Sequence, residues 1–164
     1  MATLDHLHVY AADPEASVAF YMRHFDADRL GALPVENGRE NIFLLLGAMV
    51  LVVSSFPEGM QAAAPPEPGD GALRSGFGLA HFGLQVDDLD ATVERLARGG
   101  VSCHGPTREA GPIRYAYLSA PDGVVIELTQ YVLPPKLAVL LPAVRLFNGG
   151  VHQVRKLLAS QLFG

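Results

Sequence analysis

The sequence holds a single cysteine, Cys103, so it can build neither an intrachain disulfide framework nor a thiolate metal cluster. It also lacks a basic run. Its 12 Lys and Arg stand against 17 Asp and Glu, and the resulting charge of −5 gives no electrostatic footprint for nucleic acid. No apolar run reaches the ~20 residues of a membrane span, and the short polar N-terminus does not read as a signal peptide. The expectation is a cytoplasmic protein in a reducing compartment, with neither nucleic acid nor membrane among its partners. Apolar residues are plentiful, at 49% of 164, which argues against disorder and suffices for a core.

The stretch from Leu79 to Tyr131 carries the most information. In LAHFGLQVDDLD, Phe82, Leu84 and Val86 alternate with His81, Gly83 and Gln85, the period of a strand with one apolar face. In YLSAPDGVVIEL, a turn at Ala120 to Gly123 leads into a second alternating run in which Glu127 sits among Val125, Ile126 and Leu128. A carboxylate inside such a strand is costly unless something pairs with it. A metal ion shared with His81 supplies one such partner.

The N-terminal part has the same pattern. His6, His8 and Tyr10 share one face of a strand and Leu7 and Val9 the other; Asp13-Pro14-Glu15 then reads as a helix start. Val18, Tyr21, Met22 and Phe25 follow at helical spacing. Strands are predicted near 29–35, 41–46 and 48–55, with Asn37-Gly38 as the strongest hairpin cue. His81 precedes Asp88 by the seven residues that separate His6 from Asp13. A second helix through Leu89, Val93, Leu96 and Ala97 stops at Gly99-Gly100, and strands are predicted near 101–104, 114–119 and 124–131. Pro57 to Gly78, with four prolines and five glycines, reads as a crossover linker. The chain is therefore an internal repeat of strand, helix and three strands. Its divisions are 1–56 for the first module, 57–77 for the linker, 78–131 for the second module and 132–164 for a C-terminal extension.

Over residues 4 to 131 this ordered set resembles the vicinal oxygen chelate superfamily, which includes glyoxalase I, fosfomycin-resistance transferases, extradiol dioxygenases and bleomycin-resistance proteins. LDHLHVYAADPEASVAFY, LAHFGLQVDDLDATVERL and YLSAPDGVVIEL carry the resemblance, and TREAGP followed by APDG is also similar to glyoxalase I. It implies an α+β fold in which two βαβββ modules pair into a cupped, incomplete mixed β-barrel, here with a helical C-terminal tail. It also places His6, His81 and Glu127 on metal-ligand positions. Two imidazoles and a carboxylate leave coordination positions open and suit Fe(II) or Mn(II), with Zn(II) or Ni(II) as further options. A substrate chelating through two adjacent oxygens can then have developing negative charge stabilised.

The departures narrow the chemistry. Glyoxalase I carries a fourth ligand near the end of the first module's last strand; matching Gly47 to Gly123 puts Leu51 there, between Val50 and Val52. Tyr117, Ala120, Pro121, Gly123 and Glu127 fit the extradiol signature and give Tyr117 the role of hydrogen-bonding a catecholate. That family's acid–base histidine is missing, with Arg108, Glu109 and Ala110 in its place. Where fosfomycin transferases keep a threonine and a serine, this chain has His8 and Tyr115. Tyr10, Phe43 and Tyr115 suggest a flat, apolar or aromatic substrate.

Alone, His6 or His81 reads more readily as a wet-face strand residue than as a ligand; equivalence in the repeat, together with Glu127, favours the metal. His8 is either a proton shuttle or polar wall. The expected activity is that of a dioxygenase or lyase acting on an aromatic or enolisable small molecule. Two alternatives are metal-assisted opening of an epoxide-like electrophile and metal-free drug sequestration. A homodimer, with modules swapped between chains, is expected by the resemblance. In the tail, Leu137, Leu140, Leu141 and Val144 form a helical stripe, and Pro142 either kinks it or starts a new helix. Asn148-Gly149-Gly150 is expected to break the helix before it resumes with Arg155 and Lys156 exposed.

Overall fold

The computed structural model describes residues 4–59, 79–132 and 141–163. The expected linker falls almost wholly outside them, as do Leu137 and Leu140 of the tail. The chain forms two compact units, one of residues 1–63 with 139–164 and the other of residues 64–138.

The first unit opens with β1 (His6–Tyr10), α1 (Pro14–Phe25) and β2 (Asp28–Pro34), followed by β3 (Glu40–Leu46) and β4 (Met49–Ser54). The sheet order is β1-β4-β3-β2, with β1 parallel to β4 and the other pairs antiparallel. Asp13 caps α1 by accepting from Ala16 N at 3.0 Å, Pro14 takes the first turn, and Asp26 ends the helix at φ 53°. Val18 and Tyr21 bury against the sheet face made by Ile42, Leu44, Leu51 and Val53. The opposite face carries His6, His8 and Tyr10, because side chains alternate along a strand. Asn37 and Gly38, both left-handed, turn β2 into β3 as their sequence requires.

The second unit repeats this plan. It comprises β5 (Phe82–Gln85), α2 (Leu89–Arg98), β6 (Arg108–Ala110), β7 (Ile113–Ser119) and β8 (Val125–Tyr131), in sheet order β5-β8-β7-β6. Asp88 caps α2 by accepting from Ala91 N at 3.0 Å. Leu89 and Leu96 on α2, and Leu118, Ile126 and Leu128 on the sheet, are fully buried. Each module is thus a βαβββ unit on an open four-stranded mixed sheet.

Two expectations fail. The strand near 101–104 is reduced to one bridge, Cys103 with Leu118, and the ladder resumes only at Arg108. Gly105, at φ 81°, and Pro106, which has no N–H, interrupt the pairing between them. Nor does the helix break at Asn148-Gly149-Gly150. The tail is one continuous helix, α3 (Leu141–Phe163), with Pro142 in its first turn. Interior glycine costs only ~1 kcal/mol relative to alanine, and α3 is fastened to the first unit through His152, Arg155 and Lys156.

That fastening is polar. His152 Nδ1 lies 2.6 Å from Gly47 O and its Nε2 2.9 Å from Asp28 Oδ2, while Lys156 donates to Asp28 Oδ1 at 2.6 Å. Arg155 donates to Ala48 O and is half-buried rather than exposed. The Lys156 hydrogen bond, aided by His152, holds the Asp28 carboxyl below its usual range against the opposing effect of burial. A depressed carboxyl contributes stability above the ordinary Asp pKa of about 3.9 and loses it as pH falls through the folded value. Asp28→Asn should therefore speed amide exchange in α3 at neutral pH and leave β3 and β4 protected. Unchanged protection of α3 in that variant contradicts the latch.

Candidate functional site

In the second unit three side chains of one sheet face converge. Gly83 pairs with Glu127 across the parallel β5–β8 ladder, and Tyr117 pairs with Glu127 across β7–β8. Direct cross-strand partners point the same way, and His81, one step before β5, shares the parity of Gly83. His81 Nε2 stands 3.4 Å from Glu127 Oε2, with the carboxylate side chain only 20% exposed. The Tyr117 hydroxyl donates to Glu127, and its ring meets that of His81 edge-on at 5.3 Å. Burial first, then the bond to Glu127, raises the Tyr117 pKa, so the phenol stays protonated and acts as a donor. Tyr115 extends the aromatic wall, 5.6 Å from Tyr117.

This arrangement fits a divalent metal. At 3.4 Å the His81–Glu127 approach is longer than an ordinary hydrogen bond. Two ligands at about 2.1 Å from one ion and at right angles stand roughly 3 Å apart. A small closing of the pair would bring both onto one cation, with Tyr117 orienting the carboxylate from behind. Among the described residues, no three His, Cys, Asp or Glu side chains gather into a group that could hold a metal ion, so His81 and Glu127 stand as a pair without a third such side chain beside them.

The matching face of the first unit is built differently. Leu7 pairs with Leu51 as Phe82 pairs with Ile126, so His8 and Val52 occupy the places of Gly83 and Glu127. The residue equivalent to Glu127 is therefore Val52 and not Leu51, as the turn glycines alone had suggested, and it has no metal-binding group. His6 Nδ1 lies 2.8 Å from the Asp5 carboxylate, a common way of orienting an imidazole so that Nε2 is presented outward. His8 Nε2 lies 2.9 Å from Ser54 Oγ, which gives its own proton to Ser55 O at 3.3 Å. Ser54 thus accepts from Nε2–H and leaves the Nδ1 lone pair available. Burial, then the charges of His6 and Arg39, lower the His8 pKa and favour that neutral form. Tyr10 packs against His8 and edge-on against Phe56, each at 5.0 Å, and Phe43 pairs with Val52 on the same face.

The structure thus groups His81, Glu127, Tyr117 and Tyr115 in one unit and His6, His8, Tyr10 and Phe43 on one face of the other. Sequence reasoning missed Asp5 and Ser54. Asp5 is adjacent to His6 and open to inspection, whereas Ser54 meets His8 only through a parallel ladder spanning the module. It also missed the His104 Nε2 to Ser119 Oγ hydrogen bond of 2.7 Å. No described helix is long and apolar enough to cross a membrane.

Comparison with known proteins identifies the family to which this fold belongs. Residues 3–128 match the model of the Glyoxalase/Bleomycin resistance protein/Dioxygenase superfamily. The chain is 32% identical over 135 residues to the uncharacterized protein YaeR of Escherichia coli K12, covering 76% of this chain and 93% of that one. Among solved structures it is similar to TnmS3, an antibiotic binding protein from Streptomyces sp. CB03234, at 28% identity and TM-score 0.59, over 80% of this chain and 97% of that one. It also shares the fold of the fosfomycin resistance protein FosX from Listeria monocytogenes, solved with Mn(II) and sulfate, at 18% identity and TM-score 0.58, over 84% and 98% of the two chains. Divalent metals and small-molecule ligands are therefore bound within the group. With a family model spanning most of its length and a relative above 30% identity, the chain belongs to the Glyoxalase/Bleomycin resistance protein/Dioxygenase superfamily.

Proposed function

We propose that the protein is a metal-dependent enzyme acting on an enolisable or aromatic small molecule that chelates through two adjacent oxygens. The observation that carries this is the convergence of His81, Glu127 and protonated Tyr117 on one sheet face. In this reading His6, the repeat equivalent of His81, is a further ligand of the ion. The ion, Fe(II) or Mn(II) by this donor set with Zn(II) or Ni(II) as alternatives, supplies Lewis acidity for charge developing on the substrate oxygens. His8 is the base: neutral, with Nε2–H committed to Ser54 and Nδ1 free to take a proton. Tyr117 holds Glu127 in place and keeps its own proton. Tyr10, Phe43 and Tyr115 line the substrate's apolar part.

A single neutral base and no carboxylate at Val52 favour proton transfer of the lyase type over glyoxalase chemistry. Oxygen uptake by the iron-loaded protein would move the assignment to a dioxygenase. Equilibrium dialysis against Mn(II) tests the foundation: about one ion per chain is expected, and no saturable binding sinks the proposal. Tyr117→Phe should weaken that binding by about tenfold, as loss of an outer partner does, and do so without unfolding the chain. An affinity equal to that of the parent would show that Tyr117 does not orient the ligand. The second reading, reaction-free binding of an aromatic drug, draws on the aromatic wall and the similarity to TnmS3. It predicts ligand affinity that does not change when metal is removed.

A further inference from the structure

The helix α3 is mounted with its faces reversed. Its polar side faces inward, with His152, Arg155 and Lys156 bonded to Asp28 and to the carbonyls of Gly47 and Ala48. Its large apolar side chains face outward: Leu146 is 80% exposed, Phe147 71%, Leu157 65%, Leu158 59% and Val154 58%. At 100° per residue these five share one sector, so they form a contiguous patch of the kind that marks an interface.

Gly150 lies at the centre of that patch, four residues from both Leu146 and Val154, three from Phe147 and seven from Leu157. Glycine inside a helix costs stability, and nothing among the described residues requires it here, since a Cβ at Gly150 would meet no atom within 4 Å. A glycine flanked by bulky apolar residues at i±4 allows another helix backbone to approach closely. The arrangement is also self-complementary. With two copies crossing antiparallel at Gly150, Leu146 of each faces Val154 of the other, as a twofold interface demands.

We propose that α3 is a self-association surface, pairing with the α3 of a second copy of this chain across Gly150. A lipid surface fits less well. His152, Arg155 and Lys156 are occupied by Asp28 and backbone carbonyls, and the chain as a whole carries −5, unfavourable towards anionic headgroups.

Sedimentation equilibrium of the full chain tests this, because the competing occupants respond oppositely to one substitution. Gly150→Leu improves helix propensity and enlarges the apolar patch, yet blocks close approach of a second backbone. On the proposal it weakens the association by about tenfold or more, and Leu146→Glu with Val154→Glu abolishes that association step. Asn148→Glu, on the opposite side of α3, leaves it intact. Circular dichroism confirms that each variant is folded. A wild-type chain that does not self-associate, or association indifferent to Gly150→Leu and to the double variant, overturns the proposal. So does stronger co-flotation of Gly150→Leu than of wild type with vesicles of equal parts phosphatidylcholine and phosphatidylglycerol, which would assign the patch to lipid.

Discussion

Glu127→Gln is expected to abolish stoichiometric divalent-metal binding while leaving the fold in place. The substitution keeps the shape of the side chain and its ability to accept from Tyr117, but removes the charge and the anionic oxygen that stands 3.4 Å from His81 Nε2. A direct ligand is lost, so the fall in affinity should exceed the roughly 10–100-fold that loss of an outer-shell partner costs. Thermal stability should change by no more than about 1 kcal/mol, because a half-buried carboxylate beside an imidazole and a phenol gains little from its charge without the metal. The measurement is Mn(II) titration alongside a denaturant melt. Retained affinity with unit stoichiometry would show that the ion is held elsewhere, and the functional reading would fail with it.

Leu128→Ala, one residue along the same strand, should behave in the opposite way. Leu128 has no exposed surface and points to the α2 side of the sheet, where Leu84 and Ala116 are its register partners. Removing three carbons there loses transfer free energy and leaves a cavity, and buried Leu→Ala changes cost about 2–5 kcal/mol. For a small module that is a large share of its total stability. Below the melting transition, metal affinity should be close to that of the parent protein. The pair thus separates what the two faces of β8 do. If Leu128→Ala is stable within about 0.5 kcal/mol, the helix-facing assignment of that register is wrong.

Much of the fold was legible because it is local. The Asp13-Pro14 and Asp88 helix starts, the Asn37-Gly38 turn and the alternation in β1, β5 and β8 each need only neighbouring residues to act. The repeat follows from them, and with it the equivalence of His6 and His81. Reading stopped short where a local rule competed with something distant. Gly149-Gly150 is a helix breaker by propensity, yet the bonds from His152, Arg155 and Lys156 to residues more than a hundred positions away keep α3 whole. Likewise 101–104 has strand composition, but the turn that follows allows only Cys103 to reach β7.

The candidate site divides along the same line. The amino-acid sequence by itself determined that an acid sits inside an apolar strand, that a histidine precedes the partner strand, and that tyrosines alternate beside them. Those are properties of period and composition. Only tertiary structure decided that Glu127 lies opposite Tyr117 and Gly83, that Val52 and not Leu51 takes the corresponding place in the other module, and that Ser54 fixes the tautomer of His8. Ladder register is set by the packing of an entire sheet face, and a shift of one residue would turn every one of these side chains to the other side.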